Sequence, residues 1–268
     1  MNFTNLLSQA YSNVGLKTKV AKTPIFYIEP IIPLTEEQER QLLEGDGQKK
    51  ERNEYKQINS STGLAVNYYK ILESVGKIEG LRFEEKVEKP LKIKGGRCAN
   101  LDVVYQRDGR IFYVESKFLE PYYSSNEHNT ETYFKKDNYD VPDNDKDAWY
   151  ALLADAQNYK IYNFSQICRH LMAIWRKHKE DRITFQSVMW EMTEEFISTI
   201  KDKEKQESLR ERISEIKAEA SSCHKRINEF LRQIKWDNII FECVYYNEIK
   251  EDISSSKYYS EFLKRYFL

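Results

Sequence analysis

The hydrophobic pattern changes period near residue 80. Between residues 60 and 76, Leu64, Val66, Tyr68, Ile71, Leu72 and Val75 recur at helical spacing, with Ser60 or Ser61 to cap the start and Gly76 to end the run. From residue 81 the alternation is two-residue, which predicts three successive strands over residues 81–93, 101–106 and 110–119, the last two joined by Asp108-Gly109. A polar stretch over residues 122–147, rich in Asn, Asp, Ser and Glu, reads as a long loop or insertion, a length usually functional or mobile. Residues 148–160 look helical. Asn163 with Gln166 resembles a capping box for a further helix, with Phe164, Ile167, Leu171, Ile174 and Trp175 on one face and an end near His178. Residues 183–190 return to strand.

The flanks carry weaker patterns. Residues 24–28 form an extended apolar piece, residues 35–44 a charged helix, and Gly45-Asp46-Gly47 a break. Thr193 begins a helix. Residues 201–235 are strongly charged with sparse apolar anchors, which predicts a long solvated helix or a hairpin. Residues 237–246 read as strand and 254–266 as a closing helix. No internal repeat or low-complexity tract interrupts the chain. The expected architecture is a single α/β domain with a mixed central sheet. Its core spans about residues 60–192, with an N-terminal extension over 1–59 and a C-terminal helical and strand elaboration over 193–268.

Composition narrows the partners only slightly. The 268 residues carry 42 basic and 43 acidic side chains, so any nucleic-acid surface must be local. A hydrophobic content of 40% supports a buried core. Cys98, Cys168, Cys223 and Cys243 lie far apart without a C-x-x-C spacing, which argues against a zinc ribbon or disulfide framework. Reduced cysteines, no leader and no run of eighteen apolar residues lead us to expect a soluble cytoplasmic protein.

The Asp-Gly turn organises the chemistry. In a type I′ turn Arg107 faces Arg110, and counting back along both strands places Asp102 opposite Glu115. Directly paired residues share a face, and Lys117, two residues beyond Glu115, shares it too. Two carboxylates about 5 Å apart repel by roughly 3 kcal/mol at an effective dielectric near 20, so something must neutralise them. Hard oxygen ligands with room for water suit Mg²⁺, and Lys117 is placed to position or activate a water beside it. That is the chemistry of phosphodiester hydrolysis. The alternative is a buried structural ion pair between Lys117 and the acids.

These residues resemble the PD-(D/E)xK nuclease superfamily, whose core runs helix, three-stranded meander, helix, strand. More narrowly, Ser60-Ser61, Leu64-Ala65, Asn67, Leu101-Asp102-Val103-Val104, Glu115-Ser116-Lys117 and Gln166 with Arg169-His170-Leu171 resemble a group of bacterial chains assigned as type II restriction endonucleases. The resemblance implies a restriction-endonuclease-like core, metal binding by Asp102 and Glu115 with the Ser116 carbonyl, and Lys117 as the catalytic amine. It further implies Mg²⁺, with Mn²⁺ as a substitute, and double-stranded DNA as substrate; because cutting both strands usually needs two sites, a homodimer is expected. Asn100-Leu101 stands where the family's proline precedes the Asp. Gln166 with His170 fits a supporting role, and equally an ordinary cap with a surface His. Glu54 is the nearest acid before the first helix. Lys86, Lys89, Lys92, Lys94 and Arg97, and a second group of Arg169, Arg176, Lys177 and Lys179, are candidate DNA contacts or solvated faces. A repair, recombination or transposon-associated nuclease of the same fold remains an alternative, as does a binding protein without cleavage.

Overall fold

Turn chemistry sets the centre of the sheet. Asp108 and Gly109 both take positive φ, 52° and 68°, in the computed structural model, which describes residues 19–20, 26–45, 54–57, 60–123 and 129–267. This is the type I′ geometry that matches strand twist. It aligns Arg107 with Arg110 and Val103 with Val114, the register expected from the turn.

The elements run in order: β1 (Lys19–Val20), β2 (Phe26–Tyr27), α1 (Glu36–Glu44), α2 (Ser61–Ser74), β3 (Glu79–Lys86), β4 (Asn100–Arg107), β5 (Arg110–Lys117) and the short α3 (Glu120–Tyr123). Then come α4 (Lys146–Asp155), α5 (Phe164–Lys177), β6 (Ile183–Met189), α6 (Glu194–Ser198), α7 (Lys203–Gln233), β7 (Ile239–Tyr245), α8 (Tyr246–Ile249) and α9 (Tyr259–Tyr266). Caps explain several starts. Ser60 Oγ accepts from Gly63 N at 3.2 Å to open α2, Asn163 Oδ1 from Gln166 N at 3.1 Å to open α5, and Thr35 forms a full capping box for α1.

A five-stranded mixed sheet, ordered β3-β4-β5-β6-β7, forms the middle layer. β3, β4 and β5 are antiparallel neighbours, whereas β5-β6 and β6-β7 are parallel. Alternate side chains divide between two helical layers. Tyr105 meets Tyr69 of α2, with ring centroids 5.5 Å apart, and Ser116 Oγ lies 3.4 Å from the Ser61 carbonyl, so α2 covers this face. On the other, Tyr113 Oη lies 2.7 Å from His178 Nε2 at the end of α5, and Phe185 lies under His170. Trp149 of α4 stacks edge-on against Phe230 of α7, closing that layer.

Three expectations change in detail. The first strand stops at Lys86 rather than reaching Ile93: the Val87 N–H still donates to the Ala99 carbonyl, but Pro90 lacks an N–H and the chain then turns to Asn138. Residues 122–147 contain short 3₁₀ turns over Glu131–Phe134, Lys136–Asn138 and Asp143–Asp145. Residues 203–233 form one uninterrupted helix, as a stretch without Gly or Pro allows, capped by Asp202 and burying Leu209, Ile216, Ala220, Cys223, Ile227, Phe230 and Leu231. The sheet also takes its fifth strand, β7, from outside residues 60–192. Among the described residues no helix is long and apolar enough to cross a membrane.

Candidate active site

The sheet forks where the chemistry was expected. The β4-β5 ladder ends at Val103↔Val114, yet β4 stays paired with β3 through Asn100, and β5 stays paired with β6 through Lys117. Asp102 and Glu115 therefore stand one step past the last bridge, at the crotch of the fork. Ser116 N–H, released from the ladder, donates to Asp102 Oδ2 at 2.6 Å. A side chain thus replaces the missing rung.

Glu115 is buried and held from two sides. Lys117 Nζ lies 2.5 Å from its Oε1, and His170 Nε2, from α5, lies 3.0 Å from its Oε2. The His170 contact is within ion-pair range without hydrogen-bond alignment, and both ring nitrogens lack a hydrogen-bond partner among the described residues. Burial pushes the Glu115 carboxyl up, but Lys117 and His170 outweigh it and hold it down to about 2. Asp102 behaves oppositely. Burial pushes its carboxyl well above the ordinary value, Glu115 and Glu84 add to that, and Lys117 and the Ser116 N–H only partly oppose it. Burial alone would lower the Lys117 ammonium, yet Glu115, Glu120 and Asp102 keep it raised.

A cleft of about 300 Å³ opens beside these groups, lined by Glu115 and Lys117, by Glu120 and Pro121, and by Gln166 and Tyr162 among others. Asp102 lies outside that lining. Gln166 reaches the cleft from the first turn of α5, where Asn163 Nδ2 donates to its Oε1 at 3.2 Å. Among the described residues, no group of three or more His, Cys, Asp or Glu side chains converges as a metal site. A cation here would need water or phosphate as further ligands.

A family model described as Restriction Endonuclease associating with ARP matches residues 8–266. The chain belongs to that restriction endonuclease family. No curated protein and no solved structure matches the chain. Membership in the family makes a nuclease with DNA as substrate the coarse reading of the protein.

Of the residues singled out in the sequence, Asp102, Glu115, Lys117 and Gln166 fall around the fork and its cleft. The side chain of Glu54 lies outside the described residues. His170 is a correction: it is 5% exposed and faces Glu115, so it is no surface His. Two candidate DNA contacts are committed to the fold instead. Arg176 binds Asp140 at 3.1 Å and the carbonyls of Lys89 and Leu91, while Lys177 pairs with Glu85 at 3.1 Å. Glu120 escaped notice, one residue past a strand expected to reach Leu119. Its Oε2 accepts from Phe118 N at 2.8 Å, and the sequence signal for that turn was Pro121, at the second position of α3.

Proposed function

We propose that the protein hydrolyses phosphodiester bonds of double-stranded DNA as a restriction-type endonuclease dependent on Mg²⁺, with Mn²⁺ able to substitute. The observation that carries this is the meeting of Asp102, Glu115 and Lys117 at the β4-β5 fork of a chain in a restriction endonuclease family. The order α2, β3-β4-β5, α5, β6 is compatible with the core that the resemblance to the PD-(D/E)xK superfamily implies, and it supports this reading.

Asp102 and Glu115 would hold the cation. Both supply hard oxygen donors, and burial beside Glu115 leaves the Asp102 carboxyl raised, as a carboxylate short of positive charge is. Mg²⁺ asks for only one or two protein carboxylates, so two suffice where water and phosphate complete the shell. When bound, the ion supplies Lewis-acid polarisation of the phosphate. Lys117 orients the attacking water and offsets negative charge building on the phosphate oxygens. His170 keeps Glu115 from turning away. Gln166, its carbonyl taken by Asn163, can offer its amide N–H groups to a phosphate in the cleft.

Cutting both strands calls for two such sites, so the working form is a homodimer. The family description names association with ARP, and a partner of that kind belongs to the same proposal. Incubation of the purified chain with phage DNA tests the reading. Discrete fragments with Mg²⁺ or Mn²⁺, and none with EDTA, are expected. Intact DNA on every substrate, with no Mg²⁺ binding, would leave a DNA-binding protein without cleavage.

A further inference from the structure

Ser116, the residue between Glu115 and Lys117, is fully buried and faces the opposite side of the sheet from both. Its Oγ lies 2.8 Å from Tyr246 Oη and 3.4 Å from the Ser61 carbonyl. A carbonyl only accepts, so the Ser116 hydroxyl donates to Ser61 and the Tyr246 hydroxyl donates to Ser116. One orientation of both protons satisfies the chain, and such chains strengthen cooperatively. Tyr246 is itself fully buried, opens α8 directly after β7, and packs edge-on against Tyr68 of α2, ring centroids 5.4 Å apart. Its ring is therefore fixed by two layers of the molecule.

We propose that Tyr246 is a positioning residue of the active site, acting through Ser116 on the Asp102–Glu115–Lys117 constellation; this rests on the metal-dependent nuclease reading above. Past Val114, β5 has no backbone bridge to β4, and the Ser116 N–H bond to Asp102 is the contact that spans the fork. The Tyr246 hydroxyl pins the same residue from beneath. It thereby holds the pleat that turns Glu115 and Lys117 to the α5 side and keeps the Ser116 N–H aimed at Asp102. The C-terminal strand and turn, outside the expected core, so become part of the site.

Full-length Tyr246→Phe, Ser116→Ala and the double variant test this, with Tyr69→Phe as control because its buried hydroxyl has no hydrogen-bond partner among the described residues. Mg²⁺ affinity is read by calorimetry in the absence of DNA, and kcat and KM on a cleaved DNA. Tyr246→Phe is expected to weaken Mg²⁺ binding and lower kcat by about 10-fold with KM for DNA unchanged, in line with other outer-shell substitutions. Ser116→Ala matches it, the double variant is no worse than either single, and Tyr69→Phe behaves as wild type. A Tyr246→Phe protein that melts earlier but keeps its Mg²⁺ affinity and kcat overturns the proposal, as do additive single effects. Wild-type protein that neither binds Mg²⁺ nor cuts DNA overturns the nuclease reading itself, and the proposal falls with it.

Discussion

Asp102 and Glu115 are neighbours with opposite electrostatic fates. Lys117 and His170 hold the Glu115 carboxyl down to about 2, so it contributes stability above its unfolded value near 4.5 that is lost as pH falls toward 2. Asp102 has a raised carboxyl. Its contribution is fully present below its unfolded value of 3.8 and is lost as pH rises through the folded value, so at neutral pH the buried Asp102 carboxyl costs the metal-free protein stability. Asp102→Asn should therefore raise the melting temperature at pH 7 in EDTA, by about 2–4 °C for roughly 1 kcal/mol. Mg²⁺ should then stabilise the wild type and not the variant. A lower melting temperature for Asp102→Asn in EDTA would show that the carboxylate is already well satisfied by Ser116 and Lys117. Asp102, Glu115 and Lys117 were legible in the sequence because charges interrupt apolar strands at fixed distances from a turn. His170 was not, since whether a helix residue faces a sheet acid or solvent depends on how α5 is rotated over β5, which no local pattern records.

At the scale of elements, the β4-β5 hairpin is the part read most fully, because two residues of local chemistry set its register. Gly109 sits at φ 68°, where a side chain is strained, and a Cβ there would meet nothing within 4 Å. Gly109→Ala should therefore cost about 1 kcal/mol through backbone strain alone, visible as a drop of roughly 2–4 °C in melting temperature with DNA cleavage retained. Loss of cleavage at unchanged stability would mean the turn does more than set register. The fork was invisible beforehand. Counting from the turn put Asp102 opposite Glu115 as though the ladder continued, whereas the backbones part after Val103 and Val114 and a side-chain bond takes over. The end of β3 was also misjudged, because the alternation of apolar residues runs on past Pro90 although the backbone cannot.

For the whole molecule, long-range assembly decides what sequence periodicity leaves open. β7 was recognised as a strand, but its place beside β6 and the reach of Tyr246 to Ser116, 130 positions away in sequence, come from long-range contacts. A protein that cuts both strands with one fork per chain should run as two chains per particle in light scattering, at least with DNA and Ca²⁺ present. A strictly monomeric complex would instead indicate nicking. The most direct measurement is single-turnover cleavage of phage DNA in Mg²⁺ by wild type and Lys117→Ala, with DNA binding measured alongside in Ca²⁺. The expected result is that Lys117→Ala loses cleavage by about 100-fold or more while binding DNA as well as wild type. Cleavage by Lys117→Ala at the wild-type rate would contradict it and take the catalytic centre away from the β4-β5 fork.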